Sequence, residues 1–225
     1  VMDRRSGATL AVLDEFTKAV PDSEASVKKL ASDVEFSPNG ERMVVATIGG
    51  AWGVWDTDDW SLIRPIENGD DRIMDLDFSD DGRTVASITV FGELTIRDAA
   101  DFTILAGPIA AHRNASSGGK AVSITNDGRL VVTDGDDGAK LWDIDTLEQI
   151  GSVFPDEAPV QAAELAKDAN LLATVVGDDV VLWNVDTSSW FEIGCRAVAR
   201  SMTRAEWDQF GPVDQPYVAT CDSVL

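Results

Sequence analysis

The chain has 225 residues, 44% of them hydrophobic, enough for one large or two small domains with a substantial core. With 40 acidic against 18 basic side chains its formal charge is −22, so phosphate-rich partners are repelled, which excludes nucleic acid and an anionic membrane surface as direct partners. No charged and then apolar leader follows Val1, and no apolar run approaches a membrane span, so the sequence reads as soluble and cytoplasmic.

In chain order, "ATLAVLDEF" (8–16) reads as a third strand followed by a fourth at 17–21, with nothing upstream to supply two inner strands. From residue 34 a pattern then repeats: "VEFSPNGERMVVATIGGAWGVWD" (34–56), "LDFSDDGRTVASITVFGELTIRD" (76–98), "VSITNDGRLVVTDGDDGAKLWD" (122–143) and "AELAKDANLLATVVGDDVVLWN" (163–184). Each stretch alternates apolar residues, turns at a polar cluster, continues apolar, turns again at Gly or Asp, and closes on Trp-Asp or a relative of it. The turn serine or its equivalent is Ser37, Ser79, Thr125 and Lys167, at intervals of 42, 46 and 42 residues. A regular period of this length signals stacked or radial units. Further short strands follow at "WSLIRPI" (60–66), "FTILAGPI" (102–109) and "EQIGSVF" (148–154), and a fourth is expected around Trp190–Ile193. Four antiparallel strands per unit describe a propeller blade, whose sheet edges are protected by radial packing.

The segment "DGDDGAKLWDID" (134–145) concentrates five acids and two glycines, yet it lacks the D-x-D-x-D-G spacing with a distant Glu that a calcium loop requires. It is a turn and a third strand. No nucleophile motif or phosphate loop accompanies it, and no Cys/His spacing suggests zinc, so neither a catalytic residue nor a cofactor nor a metal is expected. Cys195 and Cys221 are expected to be a reduced, structural pair of thiols.

The four units resemble the WD-repeat family. Trp55-Asp56 and Trp142-Asp143 match its signature dipeptide, Trp183-Asn184 is a near match, and Arg97-Asp98 keeps only the acid. The resemblance implies an all-β propeller segment of four full four-stranded blades plus half a blade, with a short helical tail. The blades fall at 1–21 (partial), 22–66, 67–109, 110–154 and 155–194, and the tail at 195–225. It also implies a buried tetrad of His, Ser or Thr, Asp and Trp. Thr133, Asp136 or Asp137, and Trp142 supply three members, whereas His112, the one histidine, stands too far upstream across the insertion "RNASSGGK" and is expected to be a loop or packing residue. Trp55, Trp142 and Trp183 should be largely buried, and Trp60 and Trp190 partly exposed.

The tail, "CRAVARSMTRAEWDQF" (195–210), has helical spacing, with Thr203 as N-cap and Glu206 completing a capping box. Cys195-Arg196, "RSMTRAEW" (200–207), Pro216-Tyr217 and Thr220-Cys221 are similar to the ending of large bacterial, often actinobacterial, WD-repeat proteins. There the propeller follows a STAND-type NTPase, a transcriptional activator or a serine/threonine kinase. The resemblance implies a non-enzymatic interaction platform for a protein partner or the chain's own upstream domain. A propeller enzyme or ligand-binding module is the alternative, with Asp33, Asp71, Arg72 and Lys120 near the first strands. The loop 110–120 reads first as a flexible connector rich in Ser and Gly, and as the best single candidate for a contact, where His112, Arg113, Asn114 and Lys120 form a cationic island.

Overall fold

A computed structural model describes Thr9 and residues 31–47, 50–67, 72–113, 121–154, 160–166, 171–211 and 215–221; apart from Thr9, the expected half blade at 8–21 lies outside them. The chain divides into two compact units, Val1–Trp183 and Asn184–Leu225.

The first unit is a succession of antiparallel sheets, each a meander in chain order. Strands β1 (Ala31–Phe36), β2 (Arg42–Thr47), β3 (Ala51–Asp56) and β4 (Leu62–Glu67) form the first. The second holds β5 (Ile73–Phe78), β6 (Thr84–Thr89), β7 (Glu93–Asp98) and β8 (Ile104–Ala110). The third holds β9 (Val122–Ile124), β10 (Leu130–Gly135), β11 (Gly138–Asp143) and β12 (Gln149–Phe154). The fourth holds β13 (Ala162–Leu165), β14 (Leu171–Val176) and β15 (Asp179–Asn184), three strands among the described residues where four were expected.

The repeated polar cluster builds the first hairpin of each sheet in the same way. Ser37 Oγ donates to Asn39 Oδ1 (2.7 Å) and accepts from Arg42 N (2.9 Å); Ser79 does the same with Asp81 and Thr84, and Thr125 with Asp127 and Leu130. Gly40, Gly82 and Gly128 supply the positive φ that closes these turns. In the fourth sheet the equivalent backbone bond is Ala166 N to Leu171 O, so Ala166 occupies the turn position assigned to Lys167 by sequence alignment. With no hydroxyl there, the alignment had lost its marker.

The core lies between successive sheets. Val44, Ala46, Trp52 and Val54 pack on Leu76, Phe78 and Val85; Ala86, Ile88, Leu94 and Ile96 pack on Val122, Ile124, Val131 and Trp142. Burial of each of the Val, Leu, Ile and Phe side chains among them contributes about 1.5–3 kcal/mol. First strands adjoin one another along the row, β1 beside β5, β5 beside β9 and β9 beside β13. Where the second sheet lacks the indole of the signature, Arg97 is buried with its guanidinium 5.2 Å from the Trp52 ring centroid, a cation-π contact between sheets.

Trp55 and Trp142 are buried, but Trp183 is only half-buried. Its indole stacks at a tilt on Phe154, 5.4 Å away, and among the described residues no fourth strand pairs with β15 in its sheet.

The second unit contains helix α1 (Thr187–Val198), which corrects the outer strand expected around Trp190–Ile193. Trp190 N bonds to Asp186 O, and Ser189 Oγ donates to the same carbonyl, so a helical turn starts at Asp186 where a strand was expected to follow. The helix ends at Ala199, in the left-handed region at φ 51°. Helix α2 (Arg204–Phe210) begins at Thr203 with the expected capping box: Glu206 N donates to Thr203 Oγ1 and Thr203 N to Glu206 Oε2. Arg200 holds Glu206 through two bonds of 2.8 and 2.7 Å, and this pairing, with the Thr203 bonds, lowers the Glu206 pKa to about 2. Cys195 and Cys221 are joined in a disulfide, Cα to Cα 5.3 Å, which corrects the expectation of free thiols. The chain beyond α2 returns to the segment before it through Tyr217 Oη to Met202 O, Met202 N to Thr220 Oγ1 and Cys221 N to Ser201 Oγ, and that return brings the two sulfurs together.

Candidate functional site

Two polar systems stand out in the first unit, one along the first strands and one around His112. Each first strand has a single partner within its own sheet, so one edge carries amides that the ladder leaves over. Side chains of the preceding first strand take them. Leu76 N donates to Asp33 Oδ2 (3.0 Å), Val122 N to Asp75 Oδ2 (2.8 Å) and Ile124 N to Asp77 Oδ2 (2.8 Å). At the third junction Ser123 Oγ accepts from Leu165 N (3.3 Å) and donates to Glu164 Oε1 (3.1 Å). Ala121 stands there at the position of Asp33 and Asp75, and Asp134 of the neighbouring strand takes over: its Oδ1 accepts from Ala121 N (2.6 Å), and the Ala163 amide also favours its charged form.

Two of these carboxyl groups, Asp75 and Asp134, are perturbed because they are removed from water. Burial raises Asp75 to about 7 against the pull of the Val122 amide, and the nearby Asp33 carboxylate adds to the rise. Burial raises Asp134 to about 6. Above its ordinary 3.8 and up to about 7, folded Asp75 keeps a proton that the unfolded chain releases. Its contribution is therefore complete below about pH 4 and lost as pH rises through 7. Asp134 acts in the same direction but is half spent by about pH 6, so most of the slope between about pH 6 and 8 belongs to Asp75. Asp75→Asn, which keeps an acceptor for the Val122 amide without titrating, is expected to remove most of that slope, on the order of 1 kcal/mol. Urea unfolding of both proteins at the two pH values checks this; an unchanged slope in the variant assigns it elsewhere.

Around His112 the structure corrects the spacing argument. His112 is 3% exposed; its Nδ1 lies 2.5 Å from Asp137 Oδ1 and its Nε2 2.8 Å from Thr133 Oγ1, which also accepts from Trp142 Nε1 at 2.8 Å. All four tetrad members are joined, and Asp137, not Asp136, supplies the carboxylate. Burial lowers the His112 pKa, which leaves the ring neutral, with Nδ1–H donating to Asp137 and the Thr133 hydroxyl donating to Nε2. Asp137 is pushed up by burial but held at about 2 by its bonds to Lys140 and His112. Lys140 Nζ bonds both Asp137 Oδ2 (2.8 Å) and Ala111 O (2.7 Å), fastening the incoming loop to the third strand. Gly135 is required here: a Cβ would stand 2.6 Å from the imidazole Cγ and Nδ1. No family model and no curated protein matches the chain.

The other signature residues are turn builders. Asp56 Oδ1 accepts from Asp58 N, Asp98 Oδ1 from Ala100 N, Asp143 Oδ1 from Thr146 N, and Asn184 Oδ1 from Asp186 N. The Asp or Asn that closes each third strand thus caps the following turn. Trp183 Nε1 donates to Thr174 Oγ1 (2.9 Å), reproducing the Trp–Thr half of the tetrad.

Of the predicted contact loop, His112 belongs to the buried network and is withdrawn from any exposed island, whereas Arg113 is exposed. Asn114 and Lys120 lie outside the described residues, as does Asp71. Arg113 borders an open cleft with Ala110, Asp137, Lys140, Gln149 and Val153. Among the described residues no group of three or more His, Cys, Asp or Glu is placed to hold a metal ion. Sequence reasoning passed over Asp75, Asp77 and Asp134 because alternating acids on an edge strand look like a solvated rim; the recurrence of the acid at matched positions of β1 and β5 was the available signal.

Proposed function

We propose that this chain is a segment of a WD-repeat β-propeller that serves as a non-enzymatic protein-interaction platform, the C-terminal sensor or autoinhibitory module of a larger bacterial regulator of the STAND NTPase, transcriptional-activator or kinase type. The observation that supports the fold reading most is the complete His112–Asp137–Thr133–Trp142 network inside a repeating four-stranded sheet. The tail motif quoted above supports the bacterial-regulator reading. A platform is favoured over an enzyme because the perturbed carboxyl groups Asp75 and Asp134 are committed to backbone amides.

Such a module presents loops and turns, and with a charge of −22 it selects a basic or mixed partner surface. Capture of the separately expressed upstream domain is expected to weaken at least tenfold as the screening length falls from about 10 Å at 0.1 M salt to about 3 Å at 1 M. Deleting residues 113–119 should lower capture at low salt while leaving circular dichroism and melting nearly unchanged. Failure to capture at any salt overturns the platform reading; undiminished capture by the deletion variant removes this loop from the contact.

The same reading places the chain in the cytoplasm, where thiol reductants would keep Cys195 and Cys221 open. Alkylation of the protein at the moment of lysis decides the matter. A free pair supports the cytoplasmic assignment, and a retained disulfide moves the protein to an oxidising compartment. No helix among the described residues is long and apolar enough to cross a membrane.

A further inference from the structure

At the junction of the first and second sheets, two arginines reach across to the turn that follows β7. Arg42 Nη1 donates to Ala99 O (3.0 Å) and Ala100 O (2.7 Å), and Arg64 Nη1 donates to Asp101 O. The repeat fixes which residues stand at those places one sheet later. Arg42 is the β2 residue paired with Asp56, and Thr84 is the β6 residue paired with Asp98. Arg64 pairs with Val54, two residues before the acid, and Ala106 pairs with Ile96, likewise two before. The second sheet therefore offers no guanidinium at either place to the turn that follows β11. The carbonyls of Ile144, Asp145 and Thr146, counterparts of those of Ala99, Ala100 and Asp101, accept no hydrogen bond from the described residues. Beside them lies a cleft of about 330 Å³, with Thr84, Leu105 and Ala106 from the second sheet and Gly128, Ile144 and Asp145 from the third in its walls.

We propose that this cleft binds an arginine side chain of a basic protein partner, whose guanidinium donates to the Ile144 and Asp145 carbonyls as Arg42 donates to those of Ala99 and Ala100. The chain thus carries the occupied form of the contact at one junction and the receptive form at the next. A planar fork of five donors and no acceptor suits adjacent carbonyls better than the point charge of an ammonium. The methylene stem lies along Leu105, 58% exposed, and Ile96, which also line the cleft. Charge favours the same occupant: Asp81, Asp127 and Asp145 border the cleft against Arg83 and Arg129, and the whole chain carries −22. Arg83 is drawn off to Asp81, its Nε 3.8 Å from the carboxylate and its side chain 85% exposed. All of these residues are described and belong to the first unit, so the site needs neither the ends of the row nor the second unit. The inference deepens the platform reading and rests on it, but it is tested with a short peptide, apart from capture of the upstream domain, so the two failures are distinguishable.

The test is a titration of the isotopically labelled 225-residue chain, followed by amide chemical shifts, with the capped peptide Gly-Gly-Arg-Gly-Gly and its lysine and citrulline counterparts. The arginine peptide is expected to shift the amides of Leu105, Asp145 and Thr146 and to bind at least about tenfold more tightly than either counterpart. Thr84→Arg with Ala106→Arg gives the second junction the arginines of the first and should weaken peptide binding at least about tenfold. Arg42→Thr with Arg64→Ala makes the opposite exchange and should create a second site, read as new shifts at Ala100 and Asp101. Equal binding of the lysine peptide, which net charge alone would give, overturns the proposal, as does the absence of shifts up to about 10 mM peptide. Undiminished binding by the first double variant, or no second site in the other, overturns it too. Circular dichroism qualifies the variants as folded, and Thr84→Arg or Arg42→Thr alone replaces a double variant that is not.

Discussion

Replacing Trp142 by Ala is expected to lower the unfolding free energy of the first unit by about 3–5 kcal/mol, the range for a truncated core aromatic. The indole is buried against the second sheet and its Nε1–H satisfies Thr133 Oγ1, which in turn positions His112. Trp142→Phe keeps most of the apolar area but loses that bond, and should cost about 1 kcal/mol for the bond itself. Trp183→Ala should cost clearly less than Trp142→Ala, since Trp183 already meets solvent. Urea titrations followed by circular dichroism measure all three. Equal losses at 142 and 183 would contradict the difference in burial.

Opening the Cys195–Cys221 bond is expected to destabilise the second unit by about 3–4 kcal/mol, the loop-closure entropy for a separation of 26 residues. That is a large share for a unit bounded by Asn184 and Leu225, because so short a segment buries little core. Among its described residues only Val185, Cys195 and Cys221 are buried. Hydrogen exchange of α2 amides with and without reductant, and in Cys195→Ser, reads the effect locally. Unchanged protection after reduction would show that the Met202–Thr220 and Ser201–Cys221 bonds hold the segment without the covalent link.

What could be read in the sequence was whatever local chemistry dictates. Turn serines followed by Asn-Gly or Asp-Gly fix the first hairpin of a sheet whatever lies around it, and the Thr203–Glu206 capping box fixes the start of α2. What escaped depends on partners distant in the chain. Asp75 and Asp77 show their purpose only when β9 lies beside β5, 47 residues on. Asp137 and Asp136 are indistinguishable in sequence because both sit in the same tight turn, and only the direction of the imidazole selects between them. Helix α1 was misread because Trp190 and Ile193 satisfy strand preferences, whereas the Asp186 carbonyl that starts the helix is a backbone feature. Large residues in the left-handed region, Trp60, Phe102 and Leu147, recur at the outer hairpins without the glycine that would announce them.

The anchoring of His112 has a consequence for how the chain tolerates change. The residue is fixed at the imidazole by Thr133 and Asp137 and at the amide by Gly92 O, while Ala121 and Val122 are fixed by Asp134 and Asp75. Those two mooring points hold their own positions whatever length of chain runs between them, and doubling a connection adds only about 0.6 kcal/mol of closure entropy. The interval from Arg113 to Lys120 is thus a natural grafting point, where a recognition peptide or a whole folded insert could be spliced in at little thermodynamic penalty. For the same reason, counting residues from His112 to the next strand misjudges the network: the ring is held by what it bonds, and the distance along the chain is free to drift.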